Sequence, residues 1–421
     1  MKFETQCLHA GYTPANGQPH VVPICQSTTF NYASTEDVGR LFDLKDAGFF
    51  YTRLGNPTVD AVEQKIAQLE GGVGALCTAS GQAASTLAIC NIARAGDHIV
   101  SSAAIYGGTF NLFAVTLKKF GIETTFVPPD ADEATLARAF RPNTRALFGE
   151  TLSNPAMAVL DIARFARVAK AHNVPLIVDN TFATPHLCRP LEFGANIIVH
   201  STTKYMDGHA LQMGGVIVDG GNFDWTGGNF PEFTTPDDSY HGLVYTEAFG
   251  AAAYIAKARV QLMRDLGACQ TPMGAFLLNI GLETLPLRME RHCQNAEAVA
   301  RWLQEHPKVA AVHYPGLPGD TYHALAQTFL PKGASGVISL ELAGGREAGV
   351  RFIDGLKMAA LLVHVANIRT CVLHPASSTH RQLTDAQLRD AGINPGMVRL
   401  SVGLEHIDDI LADLEQALEH A

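Results

Sequence analysis

Two four-residue runs constrain this fold more than any other feature of the chain. Leu176-Ile177-Val178-Asp179 and Ile197-Ile198-Val199-His200 carry apolar residues on both alternating faces. A sheet with one wet face would show alternation; runs like these suit strands covered on both sides. Further strand-like runs are Gly74–Thr78, His98–Ser101, Thr124–Val127, Ala146–Gly149 and Gly215–Val218. Segments with helical spacing separate several of them, at Gln82–Ala93, Phe110–Phe120, Ala134–Phe140 and Ile162–His172. Strands alternating with helices predict a wound α/β sheet.

The flanks read differently. Residues 1–57 are rich in Pro, Gly, Thr and aromatics and lack sustained periodicity, so an extended arm with one short helix, Thr35–Leu44, is expected. A helix then begins near Val59. Val62, Ile66 and Leu69 share one face, and Gly71-Gly72 ends it. Residues 220–242 read as a long loop excursion, and 245–265 as helical. Beyond them, helices at Asn295–Glu305, Glu347–Leu356 and Ile407–Glu419 mix with strands at Val337–Leu342 and Val398–Val402. The expected division is an arm at 1–58, a large domain at 59–259 and a smaller α+β domain at 260–421.

Composition removes several function classes. Hydrophobic residues make up 47% of the 421, enough for large cores, which excludes a mostly disordered chain. Asp plus Glu outnumber Lys plus Arg by 41 to 31, with no basic block, which argues against nucleic-acid binding. The charge-free stretch Gly71 to Ala93 is too polar to span a membrane. The N-terminus has no apolar leader core, and the eight cysteines show no Cys-x-x-Cys pair. Reduced thiols in a cytoplasmic protein are expected, each acting as a small buried hydrophobe, with no metal site.

Five places offer chemistry. The run ending at His200 delivers Ser201, Thr203 and Lys204 at the carboxyl end of a strand, where open α/β sheets bind ligands. A lysine there can form a Schiff base once its pKa falls, and the hydroxyls can bond a phosphate. Taken alone, such a lysine is more commonly just solvated. Asp179 ends the other run, where an acid can sit under a cofactor ring, although an aspartate there can equally cap a turn. Thr78-Ala79-Ser80-Gly81-Gln82 opens a helix with small residues, a weak anion-site signal that matches neither a Walker loop nor GxGxxG. Tyr106 follows a strand and could stack on a flat ring or simply pack. Arg53, in Tyr51-Thr52-Arg53, is a natural phosphate partner in an irregular arm, or an ordinary surface arginine.

Together these segments resemble the Cys/Met-metabolism family of pyridoxal phosphate (PLP) enzymes, nearly end to end. The motifs YTRLGNPT, ASGQAA, IYGGT, VDNTFATP, VHSTTKY, HPASSTH and VRLSVGLE occur in the family's order. The resemblance implies fold type I, the aspartate-aminotransferase-like fold, with a large, mostly parallel seven-stranded sheet and a smaller C-terminal α+β domain. It implies that Lys204 carries pyridoxal 5'-phosphate as a Schiff base, that Asp179 pairs with the ring nitrogen, and that Tyr106 stacks on the ring. Gly81, Gln82, Ser201 and Thr203 would hold the phosphate, with Tyr51 and Arg53 reaching in from a neighbouring subunit. Asn154 would lie near the 3-oxygen, Glu150 would be a supporting acid, and Arg399 would bind the substrate carboxylate, with Tyr51 and Asn154 close to it. A homotetramer with shared sites is implied.

The implied reaction is γ-replacement on O-acetyl-L-homoserine by sulfide or a small thiol. Methionine γ-lyase and cystathionine γ-synthase or γ-lyase activities are the alternatives. Gly108 stands where the lyases usually carry Cys, and Phe110-Asn111 where the synthases often carry Arg. Departures from the family pattern are Ala210-Leu211-Gln212 after the lysine, and His364, Asn367 and Arg369 near the carboxylate site.

Overall fold

A computed structural model describes residues 1–378, 381 and 394–421 of the chain. The motif HPASSTH ends at 379 and 380, which lie outside the described residues.

The large sheet has seven strands: β1 (Gly74–Thr78), β2 (His98–Ser102), β3 (Glu123–Val127), β4 (Thr144–Glu150), β5 (Leu176–Asp179), β6 (Ile197–His200) and β7 (Gly215–Asp219). Their spatial order is β1-β7-β6-β5-β4-β2-β3. Only β7 runs antiparallel to its neighbours β1 and β6. The mostly parallel sheet expected from the alternating pattern is therefore present.

Separate cores on the two faces explain the two apolar runs. Val178 and Ile198 pack into one core with Val62, Ile66 and Leu69. Ile177, Ile197 and Val199 pack into the other with Ala84 and Leu87. The first four helices are α1 (Phe3–His9), α2 (Thr35–Phe42), α3 (Pro57–Glu70) and α4 (Gly81–Cys90). In α3, Asn56 caps the Thr58 N–H, Pro57 opens the first turn, and Gly71 ends the helix in the left-handed region at φ 84°. In α4, Ser80 accepts from the Ala83 N–H.

The second sheet comprises β8 (Val309–His313), β9 (Val337–Leu342), β10 (Ala360–Leu361), β11 (Cys371–Leu373) and β12 (Met397–Ser401), in the order β10-β11-β12-β9-β8. Its own core includes Val299, Ile338, Phe352, Leu400 and Leu414.

Some elements differ from expectation. The stretch 245–265 is not one helix: Gly250, at φ 52°, breaks it, and Ala258–Met263 forms a π-helical turn. A helix at Pro272–Glu283, capped by Thr271, was not anticipated. Met273 and Ile280 stand exposed on its outer side, so no polar face marks its period. The helix expected from Asn295 starts at Leu285, with Pro286 in its first turn. All eight cysteines are free thiols, five of them buried. Among the described residues no helix is long and apolar enough to cross a membrane.

Candidate active site

The carboxyl ends of β4, β5 and β6, the N-terminus of α4 and the edge of the second sheet enclose a cavity of about 390 Å³. Nine residues singled out above line it: Gly81, Gln82, Tyr106, Asn154, Asp179, Ser201, Thr203, Lys204 and Arg399, together with Glu150. Their sequence positions span more than 300 residues; the strand ends gather them.

Lys204 sits in the turn after β6, half-buried, its N–H bonded to Ser201 O at 3.2 Å. Burial, followed by the Arg399 charge, lowers its pKa to about 8. Its Nζ lies 3.3 Å from His364 Nδ1. Burial, with the Lys204 and Arg399 charges, brings the His364 imidazole down to about 4. At neutral pH that ring is uncharged and can accept a hydrogen bond from the lysine.

Asp179 ends β5. Its Oδ1 accepts from the Thr181 hydroxyl at 2.5 Å and the Thr181 N–H at 3.0 Å. Thr181 Oγ1 also accepts from the Ser201 N–H at 2.9 Å, tying β5 to the turn that carries Lys204. Burial pushes the Asp179 pKa up; the Thr181 hydrogen bonds and the His200 charge act against it. Glu150 ends β4. Its Oε2 accepts from the Tyr106 N–H at 2.6 Å, fixing the backbone beside the Tyr106 ring. Burial and the nearby Asp179 raise the Glu150 pKa well above the usual carboxylate range.

Arg399 comes from β12. It donates to Asn154 Oδ1 at 3.3 Å and to His364 O at 3.1 Å. Its position lets the second sheet place a guanidinium opposite Lys204 across the cavity. At Gly108 a Cβ would stand 2.5 Å from Tyr106 Cε1 and 2.6 Å from Gln82 Nε2, so the residue here sets how these two side chains lie. Any larger residue must displace the ring.

Tyr51 and Arg53 do not reach this cavity. Tyr51 pairs with Thr29 in the arm, and the Arg53 guanidinium lies over the Tyr51 ring and donates to Arg264 O. Thr181 was missed, although Asp-x-Thr after a strand is a hydrogen-bonding pattern that could have revealed it. His364 was noted only as a departure; its contact with Lys204 spans 160 positions and has no local signal.

The family model for Cys/Met metabolism PLP-dependent enzymes matches residues 4–419. The chain belongs to that family. It is a PLP-dependent enzyme. An O-acetyl-L-homoserine sulfhydrylase of Leptospira meyeri is 48% identical, aligned over 100% of this chain and 97% of that protein. O-acetyl-L-homoserine sulfhydrylase 1 of Thermus thermophilus is 47% identical over 99% and 100%. The crystal structure of a putative O-acetylhomoserine (thiol)-lyase from Campylobacter jejuni superposes with a TM-score of 0.96 at 39% identity, covering 100% of both chains. That structure carries pyridoxyl-lysine monophosphate.

The cavity of this Cys/Met metabolism enzyme fits the cofactor. A Cβ at position 81 would lie 2.6 Å from Ser201 Cβ, so glycine lets the α4 N-terminus close on the Ser201 turn. First-turn amides have no intrahelical partners, which suits an anion there. Gln82 Oε1 is buried without a hydrogen-bond partner. Among the described residues no hydrogen bond reaches Asp179 Oδ2, leaving a carboxylate oxygen free to accept from a ring N–H.

Proposed function

We propose that the enzyme replaces the acetyloxy group at Cγ of O-acetyl-L-homoserine with sulfide or a small thiol. The products are acetate and L-homocysteine, or L-methionine when methanethiol is the nucleophile. What carries this reading is identity of 46–48% along essentially the whole chain to proteins named O-acetyl-L-homoserine sulfhydrylase.

The residues divide the work. PLP, when bound, supplies an aldehyde for covalent capture of the amino group and a ring that takes up electrons from Cα. Lys204 holds the aldehyde at rest, and its released amine takes the Cα proton as general base. Asp179 keeps a proton on the ring nitrogen, and Tyr106 covers the ring face. Gly81, Gln82, Ser201 and Thr203 hold the phosphate. Asn154 serves the 3-oxygen and steadies Arg399, which pairs with the substrate α-carboxylate. Tyr51 and Arg53 complete the phosphate and substrate site of a neighbouring subunit within a homotetramer. A cytoplasmic location belongs to the same proposal, supported by eight unpaired cysteines.

Product analysis tests the reaction. The holoenzyme is supplied with O-acetyl-L-homoserine with and without sulfide, then with methionine alone. Homocysteine formed only with sulfide is expected. Release of 2-oxobutyrate and ammonia from methionine alone would make the enzyme a lyase instead.

A further inference from the structure

Two buried glutamines meet beside the turn that carries Lys204. Gln212 is 8% exposed and Gln270 3%. Gln212 Nε2 donates to Thr202 O at 3.2 Å, with Thr202 Oγ1 at 3.5 Å, and Gln270 Nε2 donates to Gln212 Oε1 at 3.1 Å. Gly214 makes room for both amides: a Cβ there would stand 2.5 Å from Thr202 Oγ1 and 2.8 Å from Gln212 Oε1 and Gln270 Oε1. Neither glutamine is among the residues that line the cavity. Gln212 is also one of the departures from the family pattern noted in the sequence.

The pair links two segments that carry the phosphate-facing residues. On one side, Thr202 stands between Ser201 and Thr203, which both line the cavity. The segment that carries Gln212 also reaches Thr203, whose Oγ1 accepts from the Gly214 N–H at 3.0 Å. On the other side, Gln270 follows Cys269, which bridges to Thr78, and Ala268 O accepts from the Ala79 N–H at 2.8 Å. Thr78 and Ala79 lead directly into Ser80 and Gly81 at the start of α4. The bond between the two amides therefore ties the Ser201–Thr203 turn to the chain that anchors the α4 N-terminus. Gln270 Oε1 is buried with no hydrogen-bond partner, a cost that an apolar pair of the same shape would avoid. Filling space does not account for the amides; gripping Thr202 does.

We propose that Gln212 and Gln270 are positioning residues for the cofactor's phosphate: together they hold Ser201 and Thr203 at a fixed spacing from the N-terminus of α4. The proposal rests on those residues and Gly81 holding the phosphate. Such a brace acts on the phosphate end alone, because the carbonyls just after Lys204 are held by Arg288 instead. Loosening it should weaken PLP but not pyridoxal, which has the same ring and aldehyde without the phosphate. Thr202 O also accepts from the Asp207 N–H at 3.0 Å, so it keeps a partner when Gln212 is replaced.

The test compares wild type, Gln212→Met, Gln270→Met, the double glutamine variant, and a control carrying Ser201→Ala with Thr203→Val. Each protein is freed of cofactor and titrated by absorbance with PLP and, separately, with pyridoxal; apoprotein melting is recorded alongside. Each single methionine variant should weaken PLP about tenfold, the usual scale for losing a buried hydrogen bond, and change pyridoxal less than twofold. The double variant should resemble the worse single one, because the two amides act as one unit. Unchanged PLP affinity in both single variants overturns the proposal, whatever happens to melting. Equal weakening of PLP and pyridoxal also overturns it, since the pair would then support the site as a whole. A double variant weakened about a hundredfold would mean two independent supports, and the brace falls. If Gln212→Met does not fold, Gln270→Met decides alone; failure of both to fold makes the pair structural and overturns the proposal. If the Ser201 and Thr203 control keeps the wild-type ratio of PLP to pyridoxal affinity, the placing of the phosphate at that turn falls. If only the control loses that ratio, the role of the glutamines alone falls.

Discussion

At the scale of single residues, Lys204 shows how placement sets reactivity. Its pKa falls from 10.5 to about 8 because burial disfavours the ammonium and the Arg399 charge adds to that. An amine must lose its proton before it attacks an aldehyde. Capture of PLP by the apoprotein should therefore quicken as pH rises through about 8 and level off above it. Arg399→Ala removes the second cause but not the first. The midpoint should rise towards 10.5 while the plateau rate changes little. Stopped-flow absorbance on the apoprotein measures both. An unmoved midpoint would mean that burial alone sets the amine and that Arg399 serves only the substrate carboxylate. His364, neutral beside Nζ, supplies an acceptor without adding charge that would compete with that control.

At the scale of elements, one helix of the C-terminal half holds the lysine turn. Arg288, on the helix Leu285–Glu305, is 5% exposed. It donates to Tyr205 O at 2.6 Å, Met206 O at 3.3 Å and Gly281 O at 2.6 Å. Two of those carbonyls follow Lys204 directly. Arg288→Ala leaves three carbonyls short of a donor in a buried space, which should cost about 3 kcal/mol or more. Melting of the holoenzyme should drop by several degrees and PLP should be held less firmly; Arg288→Lys should recover part of both. A variant that melts like wild type would show that the turn is held by other bonds. This clamp was invisible in sequence, because it joins positions 83 apart and Arg288 looks like any helical arginine. The same contrast runs through the molecule. β5 and β6 were legible because continuous apolar runs report two-sided burial. The residues lining the candidate site were legible where they sit at strand ends, as with Asp179 and Lys204. β8 and β10 also sit in apolar runs, Val309–Val312 and Ala359–Val363, but β8 is only partly covered and β10 is two exposed residues, so an apolar run there does not report two-sided burial. Glu70 and His200 meet across 130 residues, a pairing no local period encodes.

At the scale of the whole molecule, the arm is the part whose role a single chain leaves open. Tyr51 is 39% exposed, and the cavity's rim carries Met213 at 68% and Val363 at 73% exposure. Apolar groups bared on both the arm and the rim suit burial against another copy, and the proposal that Tyr51 and Arg53 serve a neighbour's phosphate can be tested by complementation. Lys204→Ala and Arg53→Ala proteins should each be nearly inactive. Unfolded together and refolded as a mixture, they form mixed dimers in which the intact lysine of one subunit meets the intact arginine of the other. Half of random dimers are mixed and each holds one whole site, so activity should return to about a quarter of wild type. The double variant mixed with Lys204→Ala serves as control. It has no intact lysine in any subunit and should stay inactive. If Arg53→Ala alone keeps full activity and PLP affinity, or if the mixture recovers nothing while mixed dimers form, each cavity is complete within its own chain. Arg53 would then serve only to brace the arm against the Arg264 carbonyl.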